Sequence, residues 1–331
     1  MDIPRRNLKV VIMASGDVAL PMVSSLLARN DVEIQTLLTQ PDRPAGRGLK
    51  VKTSCLKSLA LDSQIPVLQP ETLRGDQGQK VYESLAAAKS DAFVVMAYGQ
   101  LIPQRFLDLP LLRAWNWHAS LLPRHRGASP IQNAILHGET ETGITVMQMV
   151  KALDAGPMLF QKRLAIGGDE TAKSLHDRLA ILGADCVPEW IVRLKSGQLD
   201  TEEQDHSQAT YAGKLARESG KLRWESHAIE LHRVVRALNP WPTAYTSLPG
   251  TGKILKVWTS EVWHDLSGED QPGQVIEINS TALAVATGQG ALNLKEVQLE
   301  GRKRMPIEEF LHGAGQALRV GMVLGMGAPV D

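Results

Sequence analysis

Asn116 and His118 lie one residue apart in WNWHASLLPRHRGASPIQ (115–132) and are the first candidates for chemistry. On an extended segment they share a face, because side chains alternate with period two. An amide N–H and an imidazolium N–H converging on one spot can stabilise a developing oxyanion, and the imidazole can pass a proton to a leaving group. A carboxylate must then orient and charge the ring. The best placed is Asp154 in MVKALDAGPM, on a glycine-flanked loop just past the GITVMQM stretch. No cysteine, metal-ligand cluster or serine in a nucleophile's setting stands beside them. The set therefore suits a reaction whose nucleophile arrives with the substrate, such as an amine attacking an activated carbonyl. On spacing alone an N-x-H with a distant aspartate is more often structural. The histidines at 125, 137, 176 and 206 read as surface or helix residues.

The elements that must position this set are legible as a strand–helix rhythm. LKVVIM (8–13), EIQTLLT (33–39), DAFVVMAYG (91–99), AWNWHAS (114–120) and GITVMQMV (143–150) read as strands. Asp17 to Ala28, CLKSLALDS and PIQNAILHG (130–138) read as helices between them. That order predicts an α/β domain with a doubly wound, mostly parallel sheet. Asn116 and His118 then fall near the carboxyl end of a strand, where open parallel sheets hold their ligands. Residues 169–197 are helical by period, with Pro188 dividing or kinking the pattern. Residues 197–214 are polar without a clear period and read as a linker. A short helix follows at Ala228 to Leu238. KILKVWTSEVW, QVIEI, ALAVAT and ALNLKEVQL then give a small antiparallel β-barrel pattern of OB-like size. The expected organisation is a catalytic domain at 1–196, a linker at 197–214 and a β-barrel domain at 215–331.

Several function classes are excluded. The first turn, MASGDVA, has one glycine rather than G-x-G-x-x-G, and neither a P-loop nor a G-x-S-x-G elbow is present. Two distant cysteines, Cys55 and Cys186, give neither a disulfide framework nor a zinc spacing, and no metal is expected. The chain has 331 residues, 36 basic and 36 acidic, so nucleic acid can be bound only through local clusters. No apolar run reaches transmembrane or signal-peptide length, which predicts a cytoplasmic protein without membrane contact.

N-x-H followed by SLLPRHRGASPIQ, then TGITVMQM and LDAG, resembles the folate-dependent formyltransferases. TQPDRPAGRG (39–48), VVMAYGQLIP (94–103), TYAGKL (210–215) and NPWPTA (239–244) are similar to segments of that family, in its order. The resemblance runs from about Leu8 to the C-terminus. It implies transfer of a formyl group from 10-formyltetrahydrofolate to the amino group of methionyl-initiator tRNA, which releases tetrahydrofolate. It implies that Asn116 and His118 stabilise the tetrahedral oxyanion. His118 would protonate the departing N10, and Asp154 would orient and charge His118. It places the folate against Ser120, Leu121, Leu122 and Pro123, with Tyr98, Gly99 and Leu101 beside the pterin. Trp117 stands where the family usually carries a small β-branched residue. The rivals are a sister enzyme formylating an amino sugar nucleotide or glycinamide ribonucleotide, and a non-catalytic RNA- or folate-binding protein.

A tRNA partner directs attention to the basic clusters. Arg43, Arg47, Lys50 and Lys52, with Lys57, face a single acid, Asp42, in a loop rich in Pro and Gly. Lys214 opens a second cluster, with Arg217, Lys221 and Arg223. Arg302, Lys303 and Arg304 form a third. Trp241 in NPWP reads as a packed aromatic rather than a base-stacking platform. A monomer is expected.

Overall fold

The computed structural model describes residues 6–42, 44–45, 50–51, 53–263 and 270–325. Among these, the chain divides into two compact units. The first comprises residues up to Pro130, Glu141–Ala165 and His176–Gly213. The second comprises Ile131–Thr140, Ile166–Leu175 and the chain from Lys214 onward. The stretch expected to be a linker thus belongs to the first unit up to Gly213. Two short segments of the expected first domain belong to the second unit.

In chain order the first unit holds strands β1 (Leu8–Ala14), β2 (Val32–Leu38), β3 (Pro44–Ala45), β4 (Lys50–Val51), β5 (Val67–Leu68), β6 (Ala92–Met96), β7 (Ala114–His118), β8 (Arg126–Gly127), β9 (Glu141–Gln148), β10 (Met158–Ala165) and β11 (Tyr211–Ala212). Its helices include α1 (Leu20–Leu27), α2 (Cys55–Asp62), α3 (Gly75–Ala88) and α4 (Gln104–Leu107). Seven strands form one sheet in the order β10-β9-β7-β6-β1-β2-β5. The β5-β2-β1-β6-β7 part is parallel, and β9 and β10 extend it antiparallel. The mostly parallel sheet expected from the rhythm is therefore present. Strand β10, MLFQKRLA, was not foreseen.

Both faces of the sheet are covered, so its central strands are apolar throughout rather than alternating. Val11, Met13, Phe93, Val95 and Ala114 form one core with Leu85 of α3 and Phe106 of α4. On the other face Trp117 packs edge-on against Trp190, with ring centroids 5.2 Å apart. The long helical pattern after 169 is two helices, Ala172–Asp185 and Val187–Ser196, with Cys186 between them. Pro188 sits in the first turn of the later one, where its missing N–H costs nothing. The bulky Trp117 thus has its own partner on that helix and does not disturb β7.

The second unit is built on an antiparallel sheet. Its strands are β12 (Ala244–Ser247), β13 (Ile254–Trp263), β14 (Val275–Ile278), β15 (Leu283–Ala286), β16 (Ala291–Leu299) and β17 (Met305–Pro306). They run in the order β12-β13-β16-β15-β14, with β17 on the free part of β16. Its core joins Leu255, Val257, Val285, Leu292, Leu294 and Val297 to Leu231 and Val235 of the helix Ala228–Ala237 and to Phe310. The expected antiparallel domain is present, with β12 and β14 as the ends of the pairing order.

Candidate active site at the carboxyl end of strand β7

Ala114 packs in the core, and Asn116 and His118 continue its face toward the end of β7. Both are buried, at 8% and 6% exposure. Among the described residues, no hydrogen bond engages the Asn116 carboxamide. The carboxamide is not fully enclosed, and its unpaired polar atoms are open to a ligand at the strand end.

His118 is held differently. Its Nε2 lies 2.9 Å from the carbonyl oxygen of His125. A carbonyl only accepts, so Nε2 carries a proton and donates it there. Nδ1 is left facing the Oδ2 of Asp154 at 3.7 Å, an electrostatic contact rather than a hydrogen bond. The same Oδ2 accepts the Gly127 N–H at 2.8 Å. The work expected of Asp154 is therefore divided. The His125 carbonyl fixes the ring, and the Asp154 carboxylate stands beside Nδ1.

The turn after β7 is locked from within. Ser120 is fully buried, and its hydroxyl donates to the Arg124 carbonyl at 2.6 Å. Thr145 of β9 donates to the Ser120 carbonyl at 2.6 Å and accepts from the Leu122 N–H at 3.1 Å. Leu122 is buried, while Leu121 and Pro123 are half-buried. His125 takes a left-handed φ of 59°, and its N–H donates to Thr210. Strand β11 pairs parallel with β8 so closely that a Cβ on Gly127 would stand 2.6 Å from the Ala212 carbonyl oxygen. In the loop after β9, Asp154 has φ 48°. A Cβ on Gly156 would meet the Gln148 carbonyl oxygen at 1.9 Å.

The loop after β6 turns sharply, with Ala97 at φ 51° and Gly99 at φ 80°. Tyr98 packs its ring in the core, where burial pushes the phenol up to about 12. What Tyr98 presents outward is its carbonyl, which accepts from Ser15 and from Gln40 Nε2, both at 3.1 Å. Leu101 and Leu153, on the loops after β6 and β9, are 74% and 57% exposed. Those strands flank β7 in the sheet.

Sequence reasoning missed His125, Arg126, Gly127 and Gln204. His125 acts through a backbone carbonyl, which leaves no mark in the sequence. Arg126 and Gln204 are buried polar residues 78 positions apart, and their meeting cannot be inferred from spacing.

The basic candidates are scattered. Arg43, Arg47 and Lys52 lie outside the described residues, and of Lys50 only the backbone in β4 is described. Lys57 pairs with Asp42, which also accepts from Gln69 Nε2 at 3.1 Å. The Lys57 hydrogen bond holds the Asp42 carboxyl below its ordinary value. The one acid of the basic stretch is thus neutralised by a lysine of the same stretch. Lys214, Arg302 and Lys303 are exposed, and no side-chain bond engages them among the described residues. Arg304 pairs bidentately with Glu296 and lies over the Trp258 ring, 4.5 Å from its centroid. A cleft of about 450 Å³ in this unit is lined by Arg217, Glu218, Tyr245, Lys256, Glu300 and Gly301, the last of which precedes Arg302 in the chain. Trp241 is 57% exposed, against the expectation of a packed aromatic. Among the described residues, no group of His, Cys, Asp and Glu is arranged to hold a metal, and no helix is long and apolar enough to cross a membrane.

This fold and this strand end define a class. The chain belongs to the formyl transferase family: residues 7–191 match its formyl transferase domain and residues 214–315 its C-terminal domain. Within it, the methionyl-tRNA formyltransferase of Stutzerimonas stutzeri is 43% identical over 318 residues, which are 96% of this chain and 98% of that relative. Two solved structures share the fold. HypX from Aquifex aeolicus, in complex with tetrahydrofolic acid, superposes with a TM-score of 0.57 at 17% identity. The match covers 92% of this chain but only 48% of HypX, so this chain spans about half the length of that protein. An N-formyltransferase from Helicobacter canadensis, in complex with folinic acid and dTDP-3-aminofucose, has a TM-score of 0.62 at 17% identity, over 87% of this chain and 98% of its own.

Proposed function

We propose that this chain transfers the formyl group of 10-formyltetrahydrofolate to the amino group of methionyl-initiator tRNA, supplying formylmethionyl-tRNA for translation initiation. The observation that carries the chemistry is the unpartnered Asn116 amide, open at the strand end, beside a histidine whose Nε2 is hydrogen-bonded and whose Nδ1 faces Asp154. The choice of acceptor is supported by 43% identity over nearly the whole of a methionyl-tRNA formyltransferase, against 17% to the structure holding an amino sugar nucleotide.

The donor set fits a folate. Exposed Leu101 and Leu153 would cover a flat, largely apolar heterocycle, and the main-chain groups of the turns after β6 and β7 that Ser15, Gln40 and Thr145 do not engage would meet its polar edge. The contribution of Tyr98 and Ser120 is then their backbone N–H, because the ring, the hydroxyl and both carbonyls are committed elsewhere. The methionyl amine attacks the formyl carbon and forms the new C–N bond. The Asn116 amide donates to the oxyanion that develops. His118 gives its Nδ1 proton to N10 as the old C–N bond breaks. Asp154 favours the charged ring beforehand and receives the proton that the amine loses, directly or through water. No protein nucleophile is required.

The tRNA is met by Lys214, Arg302 and Lys303 in the second unit and by the Arg43, Arg47, Lys50 and Lys52 stretch of the first. These bind phosphate without reading bases. Arg304 contributes less, being paired with Glu296. The protein works without a metal, as a monomer in the cytoplasm. The test is formyl transfer with methionyl-initiator tRNA, uncharged tRNA and an amino sugar nucleotide as acceptors. Product is expected with the charged tRNA alone. Transfer to the sugar amine instead would overturn the acceptor, and transfer to none would overturn the reaction.

A further inference from the structure

We propose that Gln204 is a positioning residue for the formyl transfer, holding the turn that delivers Asp154 to His118; the assignment rests on the reaction proposed above. Gln204 lies in the polar stretch 197–213, yet it is only 4% exposed. Its Oε1 accepts from Nε and Nη2 of Arg126 at 3.1 and 2.7 Å. Its Nε2 donates to the carbonyl oxygens of Asp154 and Gly156 at 2.8 and 2.7 Å. Both acceptor sites and both donors of one carboxamide are thus used. Arg126, also 4% exposed, is fixed in turn by His206 Nδ1 at 2.8 Å.

These bonds staple two segments together. On one side stands β8, where Gly127 follows Arg126 and gives its N–H to the Asp154 carboxylate. On the other stands the loop in which Asp154 takes a left-handed φ of 48°. Residues other than glycine keep that conformation only where the surroundings hold them. Gln204 grips the main chain on both sides of Ala155, so the carboxylate of Asp154 is aimed from its own backbone. Only an amide offers this combination. A glutamate would keep the arginine and lose both donors, and an apolar residue would lose all four bonds.

Two variants test the brace. Gln204→Met keeps the volume and removes every bond, and Gln204→Glu removes only the donors. Both are expected to lower kcat about 100-fold, the scale of a small misplacement of a reacting group, while the KM for methionyl-tRNA changes less than about twofold. If Gln204 acts through Asp154, the double variant Asp154→Asn with Gln204→Met is no slower than Asp154→Asn alone. Losses that multiply would overturn the proposal. A second readout needs no activity. In a ¹H–¹⁵N spectrum the Gly127 amide proton is drawn downfield by the Asp154 carboxylate. Gln204→Met and Gln204→Glu should move it toward its position in Asp154→Asn. A Gly127 signal that stays in place in a folded variant would overturn the brace, and Gln204→Glu carries this test if Gln204→Met does not fold. Failure of the wild-type protein to formylate any tRNA would instead overturn the reaction, and the Gly127 signal tells the two failures apart.

Discussion

The end of β7 and the basic surface of the second unit handle polar groups in opposite ways. At β7, Asn116, His118, Arg126 and Gln204 are all buried, and every hydrogen-bonding site of the Gln204 carboxamide is used. In the second unit Lys214, Arg302 and Lys303 stand in solvent, and no side-chain bond engages them among the described residues. The difference matches the tasks proposed for the two regions. Moving a proton and steadying an oxyanion need atoms fixed within a fraction of an ångström. Holding a phosphate backbone needs charge near a surface and tolerates motion. The first region should therefore be brittle to single substitutions and the second tolerant.

The largest effect is expected at the chemistry itself. Asn116→Ala should lower kcat about 10²–10³-fold, the worth of one oxyanion donor. His118→Ala should lower it about 10²–10⁴-fold. Methionyl-tRNA binding, measured by filter retention, should be unchanged in both. The double variant should be little slower than the worse single, because the two groups act on one transition state. An Asn116→Ala enzyme of near-normal kcat would break the comparison at its strongest point.

Next comes a backbone test. Gly156→Ala would press a methyl group to 1.9 Å from the Gln148 carbonyl oxygen, so the loop bearing Asp154 must move. A kcat loss of about 100-fold is expected, with a lower Tm. Gly168→Ala is the control, since nothing lies within 4 Å of its Cβ. Equal behaviour of the two variants in thermal melts and turnover would show that the site is not tightly built.

How much of this was legible in the sequence depends on what each residue contributes. The period-two pairing of Asn116 and His118, and the strand that carries them, were readable because apolar runs mark buried strands. Asp154 was readable as a carboxylate on a loop past the next strand. The stretch 197–213 was not. Its packing depends on Gln204 and on β11, only two residues long, and hydrophobic period detects neither a buried amide nor so short a pairing. His125 leaves no signal in the sequence, because it is its carbonyl rather than its side chain that holds the His118 ring. Trp241 was misjudged for a related reason. An aromatic between two prolines suggests packing, yet the indole is mostly in solvent.

A smaller effect is expected on the tolerant side. Arg302→Ala and Lys303→Ala should each raise the KM for methionyl-tRNA a few-fold and leave kcat in place. Each should lower the slope of log KM against log salt by about 0.7–0.9, the share of one phosphate contact. Arg304→Ala should change the slope less, because its guanidinium already serves Glu296. A fall in kcat for Arg302→Ala at saturating tRNA would show that this surface also positions the acceptor, which would narrow the difference between the two regions.

The smallest effect is expected where the chemical unit carries exposed charge of its own. Asp31 pairs with Arg29 at 2.7 Å and with Lys195 at 2.7 Å, all three partly open to solvent. The Arg29 hydrogen bond, then that of Lys195, holds the Asp31 carboxyl well below the usual carboxylate range. A folded-state pKa below the unfolded value of about 3.9 means that the pairing stabilises the fold above that pH and loses this contribution as pH falls through the folded pKa. Solvent screening at such a site keeps the contribution below about 1 kcal/mol. Asp31→Asn should therefore lower Tm slightly at pH 7, and the gap should close as pH drops below about 4. The gap at pH 7 should also shrink with added salt. A large, salt-insensitive loss would place Asp31 with the buried bonds around Gln204, and the division between fixed and solvated charge would then run through a different part of the molecule.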